Sequence, residues 1–281
     1  RAAGESVWPG WDAAPFSTLL IAGDDEFAIS QQRDLPGFNA TNEQLSPGWH
    51  ISHRPRSLPP ALLATFPALS PPEPSIVIGT PAATGKSGPA WIVTVLHEHF
   101  HQHQYSQPWY YERVNALGLS GGDTSGMWML NYEFPYADQA VELRYERLTN
   151  ALAKALDARG TGNFAHSLRD VKARWRELRE NLSEEDYRYL QFQWWQEGVA
   201  RYVELKVAER AASVSCVGGS AHRDVLSKMM NSLKDPSLTE QKRVAFYAAG
   251  AAIALLLDET SPHWKTDYLD RPFSIETYFA P

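Results

Sequence analysis

Residues 93–104 read VTVLHEHFHQHQ, and the rest of the chain is best understood outward from them. The stretch contains His97-Glu98-x-x-His101. Positions i and i+4 stack on one face of a helix, so two imidazoles at this spacing can hold one metal ion. An acid beside the first of them can accept a proton from water polarised by that ion. Val93, Leu96 and Phe100 fall on an adjoining arc that would bury the helix against a core. With Pro89 suited to a first turn, the pattern predicts a helix over Ala90–Tyr105. His99 and His103 form a second i, i+4 pair on the opposite side, away from Glu98, and read as packed or hydrogen-bonded histidines. His166, His222 and His263 are isolated and take no role.

Upstream of this helix the chain is rich in strand and loop signals. Pro-Gly and Pro-Pro pairs punctuate it. Ser17–Ala22 and Phe27–Ser30 read as a hairpin across Gly23-Asp24-Asp25, and His50–His53 as a weaker strand. Ser75–Thr80 (SIVIGT) is short and β-branched, and reads as an edge strand able to pair with an extended peptide. Downstream, a Gly/Ser-rich connection at Gly118–Gly126 leads into helical patterns over Ala137–Ala158, His166–Asn181, Glu184–Ala212 and Gln241–Asp258. The charged faces of Arg169–Arg179 and Glu184–Arg188 read as solvated. The class expected is α+β: a β-containing lobe over residues 1–110 that ends in the histidine helix, then a predominantly helical lobe over 111–281. A cleft between two such lobes is the natural place for a site.

Composition bounds what such a molecule can do. The chain has 281 residues, with 43% hydrophobic and 21% charged, which suffices for a full core. Ten Trp, 12 Tyr and 11 Phe exclude a disordered chain. With 26 basic against 33 acidic residues the net charge is −7, so no basic surplus exists to neutralise a nucleic-acid backbone. The longest nearly unbroken apolar run, Tyr247–Leu257, is about half of what a membrane span needs. The single cysteine, Cys216, allows no internal disulfide and reads as a small buried hydrophobe or inert thiol. The chain opens on Arg1, which reads as a mature end after export; a secreted or periplasmic location is expected, with the cytoplasm as the alternative. Nothing in the pattern addresses oligomeric state.

A catalytic zinc takes three protein ligands and keeps one position open. The third ligand is sought in Trp194–Glu204, WWQEGVARYVE, where Glu197 sits among Trp194, Trp195 and Val199. An acid beside so much apolar surface needs a partner, and a metal ion would be one. This segment resembles the glutamate helix of the gluzincin metallopeptidases, especially the aminopeptidase N and leukotriene hydrolase group. Tyr247-Ala248-Ala249-Gly250, in the run AFYAAGAAIALLLDE, resembles the Tyr-x-x-Gly of the same families. The resemblance covers three short stretches in matching order. His101 and Glu197 lie farther apart here than those families place them, and the helices over Ala137–Asn181 would fill the interval. The aminopeptidase Gly-x-Met-Glu-Asn segment is absent from the sequence, and Arg201 stands where the thermolysin pattern has an acid.

The resemblance implies a zincin-like fold and one zinc ion per chain, held by His97, His101 and Glu197. It implies Glu98 as general base and Tyr247 as donor to the oxyanion. The expected activity is that of a zinc metallopeptidase acting on a peptide or protein. The alternative is a non-catalytic zinc- or peptide-binding protein of the same fold. A competing motif, Gly79–Ser87, resembles a phosphate-binding P-loop, but five residues separate its glycines where four are required.

Overall fold

The computed structural model describes residues 4–279. It is α+β, with one six-stranded mixed sheet and a largely helical remainder. The chain divides into two compact units. The first runs to Tyr111 and includes Arg210–Ala221; the second comprises Glu112–Glu209 and the chain from His222 onward.

The first unit holds the sheet: β1 (Thr18–Ala22), β2 (Asp25–Ser30), β3 (Asn39–Ser46), β4 (Trp49–Pro55), β5 (Leu63–Ser70) and β6 (Glu73–Gly79), in spatial order β3-β4-β2-β1-β6-β5. The expected first hairpin is present. Its turn is tighter than the spacing suggests, because Gly23 takes a left-handed φ of 62° and Ala22 pairs directly with Asp25. β1 and β6 pair in parallel in mid-sheet, and the other pairs are antiparallel. Leu19, Ile21, Ala28 and Val77 bury one face together with Leu35 and Leu69. Within the sheet Glu26 is fully buried. Its carboxylate accepts from Arg54 Nε at 2.7 Å, Ser57 N at 2.8 Å and Leu58 N at 2.7 Å.

One expectation fails here. Ser75–Thr80 is not an edge, since β6 lies between β1 and β5 and is buried on both faces, which explains its unbroken apolar run. The edge is β5. Pro67 is tolerated there because an edge strand has donors to spare, and the β5–β6 register is irregular between Phe66 and Ser70.

The P-loop-like stretch is accounted for by helix capping. Thr80 accepts from Ala83 N to cap a single turn over Pro81–Thr84, Gly85 ends that turn at φ 65°, and Ser87 accepts from Ala90 N to cap helix α1 (Gly88–Tyr105). Helix α1 is tied to the sheet by polar bonds as well as packing. Trp91 Nε1 donates to Gly79 O at 2.7 Å, and the buried Gln102 amide donates to Ser17 O and Pro74 O at 2.9 and 3.0 Å.

In the second unit the longer helices are α2 (Gln139–Asp157), α3 (Phe164–Arg179), α4 (Glu184–Gln193), α5 (Val199–Ala212), α6 (Cys216–Lys234) and α7 (Ala245–Thr260), although α5 ends, and α6 begins, among residues grouped with the first unit. Asp138 caps α2 by accepting from Ala140 N and Val141 N. The connection at Gly118–Gly126 places four glycines at positive φ, and the Asp123 carboxylate gathers Ser125 N and Trp128 N. The predicted single helix over Glu184–Ala212 is interrupted by a π-helical turn, Trp194–Gly198. There Val199 N reaches back to Trp194 O, and the Tyr268 hydroxyl donates to Trp195 O at 2.6 Å. Cys216, expected to be buried, is exposed, because it begins α6 next to the exposed Val214 and Val217. Among the described residues no helix is long and apolar enough to cross a membrane.

Candidate metal centre

Helix α1 carries His97, Glu98 and His101, all buried. Val93 and Phe100 are buried as well, and Leu96 is half-buried, so the apolar arc read from the sequence holds the helix down. The His97 and His101 rings meet edge to face at 4.7 Å, with their Nε2 atoms 3.0 Å apart. His101 Nδ1 lies 2.7 Å from the Gln104 carboxamide oxygen. A neutral His101 that donates through Nδ1 has the Nε2 lone pair turned toward His97. Gln104 is thus the outer partner that sets the His101 tautomer and ring angle. The Tyr105 ring stacks on the other side of His101 at 5.5 Å. The Glu98 carboxylate accepts from the Thr65 hydroxyl of β5 at 2.8 Å, and the same hydroxyl lies 2.9 Å from Glu98 O.

His99 and His103 point elsewhere, as the spacing predicts. His99 packs on Trp11 and Phe16, and His103 on Phe100. Burial pushes both imidazoles down to about 4, so they stay neutral near neutral pH.

Glu197 sits in the π-helical turn and is buried. Wide turns of this kind are common at functional sites because they re-aim one side chain without ending the helix. The turn packs against α7 through a glycine pair. A Cβ on Gly198 would stand 2.5 Å from Gly250 Cα, and one on Gly250 would stand 2.6 Å from Gly198 Cα. Gly250 therefore serves the close helix packing expected of it. From the start of α7, Tyr247 hydrogen-bonds Glu197, and its hydroxyl accepts from Arg243 Nη1. Arg243 Nη1 is also 3.8 Å from Glu197 Oε1. Burial first, then the Glu197 carboxylate, hold the Tyr247 phenol well above its ordinary value, so it stays a donor. Arg201 pairs with the buried Glu204, and its guanidinium lies 5.8 Å from the Tyr247 ring.

His97, His101 and Glu197 form a buried group that could hold a metal ion: one ligand atom of each lies within 4.8 Å of the others. The donor chemistry fits. Two imidazoles and one carboxylate make the three-ligand set of known catalytic zinc sites, in which neighbouring nitrogens bonded at 2.0–2.1 Å stand about 3.3 Å apart. The 3.0 Å between the two Nε2 atoms is close to that separation. Sequence reasoning missed three contributors. Gln104 was legible as the i+3 neighbour of His101, and Arg243 as the i−4 neighbour of Tyr247. Thr65 was not, because its strand was not recognised. Comparison of the chain with protein-family models, with curated proteins and with solved structures gave no match.

Proposed function

We propose that the chain is a zinc-dependent hydrolase of the gluzincin kind, with a zincin-like fold, that cleaves peptide bonds. The observation that carries this is the buried His97/His101/Glu197 group with Glu98 adjacent to His97. When bound, a zinc ion there supplies a Lewis acid for the scissile carbonyl and lowers the pKa of water toward neutral. His97, His101 and Glu197 would hold the ion, and Gln104 would keep the His101 lone pair turned toward it. Glu98 takes the proton of the attacking water and returns it to the leaving amine. Thr65, donating to Glu98, fixes that carboxylate in one orientation. Tyr247, held protonated, donates to the oxyanion, while Arg243 anchors its hydroxyl.

The test is Glu98→Gln, which removes the base and keeps the shape. The variant is expected to bind zinc as the wild type does and to lose peptide hydrolysis by at least about a hundredfold. Full activity in the variant would refute the mechanism. Stoichiometric zinc in the wild type with no turnover across a peptide library would favour the non-catalytic binding protein instead.

A further inference from the structure

The first unit contains a cavity of about 820 Å³ that the proposed chemistry does not use. It lies at the end of the sheet where β2 and β5 finish and β6 begins, and the C-terminal end of α1 closes it. Its volume is that of a small-ligand site. Four aromatic rings line it, from Phe16, Trp49, Tyr105 and Tyr111. Tyr105 connects it to the candidate metal group, since its ring stacks on His101 at 5.5 Å with an interplanar angle of 13°.

The charge of the wall decides what fits. Of the 21 described lining residues, Glu73 is the sole Asp, Glu, Lys or Arg. Among the described residues a phosphate, nucleotide or acidic ligand would find no cation in the wall, and a basic one would find a single carboxylate. Besides Glu73, the two tyrosine hydroxyls and the Trp49 indole, the polar side chains are five serines and three glutamines. Hydroxyls and carboxamides each both donate and accept, so they match a ligand whose own polar groups do both. Aromatic rings beside them suit flat C–H faces. Strands meet the cavity mostly by their ends, which does not offer an extended peptide a ladder to join.

We infer that this cavity binds a neutral oligosaccharide, by stacking sugar rings on Trp49 and Tyr111 and by hydrogen bonds to the serines and glutamines around them. The inference rests on the first unit alone and holds whether or not the chain hydrolyses peptides.

The experiment is isothermal titration of the full chain with β-1,4-linked glucose, β-1,4-linked N-acetylglucosamine and α-1,4-linked glucose hexamers, beside an uncharged proline-rich peptide. At least one sugar is expected to bind saturably with a Kd below about 1 mM. Its affinity should be the same at about 50 and about 500 mM salt, because no charges are paired. Trp49→Ala and Tyr111→Ala should each weaken binding about tenfold by removing a stacking ring. Tyr111 is already 41% exposed, so its truncation leaves the fold intact. Val214→Ser, outside the cavity, should bind as the wild type does. Binding of the peptide alone, binding of no sugar, or sugar affinity unchanged in both ring variants would overturn the inference.

Discussion

Gly198→Ala tests how the Glu197 turn is held in place. In an unobstructed helix, replacing glycine with alanine gains about 0.8–1 kcal/mol. Here the added Cβ would lie 2.5 Å from Gly250 Cα and 2.9 Å from Gly250 C, both backbone atoms that cannot rotate away. Carbon atoms prefer separations of about 3.5–4.0 Å, so the turn and α7 must part by about 1 Å. Overpacking of this kind costs about 2–3 kcal/mol, leaving a net loss of about 1–2 kcal/mol after the helical gain. At about 2–4 °C per kcal/mol for a chain of this size, Tm falls by about 2–8 °C. Glu197 precedes Gly198 and moves with it, so metal affinity falls too. The assay is thermal unfolding of the variant beside Gly88→Ala, where an added Cβ meets nothing within 4 Å and Tm should be unchanged or slightly higher. A Gly198→Ala protein that melts at or above the wild-type temperature would show that the Gly198–Gly250 contact does not hold the turn in place.

Two further outcomes are expected. Gln104→Leu removes the acceptor for His101 Nδ1 and should weaken metal binding about 10–100-fold, measured by competition with a chelating dye; unchanged affinity would remove Gln104 from the site. The Glu26 carboxyl is pushed up by burial but pulled down further by Ser57 N–H, Arg54 and Leu58 N–H, so its folded pKa lies below the ordinary value of 4.5. A lowered folded pKa stabilises the protein fully above the unfolded value, and that stability is lost as pH falls through the folded value. Denaturation midpoints measured from neutral pH downward should therefore fall less steeply below about pH 4.5 for Glu26→Gln than for the wild type, and parallel curves would contradict this.

What the sequence disclosed follows from how local each signal is. The α1 stripe repeats at helical spacing over one segment, and the β1–β2 turn is marked by its own glycine, so both were legible. Asn39–Ser46 has only Ala40 and Leu45 as apolar residues and shows no alternation; it becomes a strand because β4 pairs with it. Pro67 argues against a strand in Leu63–Ser70 and is overruled by position at the sheet edge. Gly218 disguised the start of α6, yet a Cβ there would sit 2.3 Å from Ala211 O, so the glycine marks a close approach and not a break. The π-helical turn has no local signature at all. It depends on Gly250 and Tyr268, more than fifty residues downstream. In the candidate site, the i, i+4 histidines and Glu98 were local, while Glu197 came from a resemblance and Thr65 required the tertiary fold.

The proposed hydrolase requires that His97, His101 and Glu197 act together on one metal ion. The direct measurement is metal content by elemental analysis of the purified wild type and Glu197→Ala. One zinc per chain in the wild type, lost or held far more weakly in the variant, is the predicted result. No zinc in the wild type, or zinc held equally well without Glu197, would show that the three residues do not form one metal site.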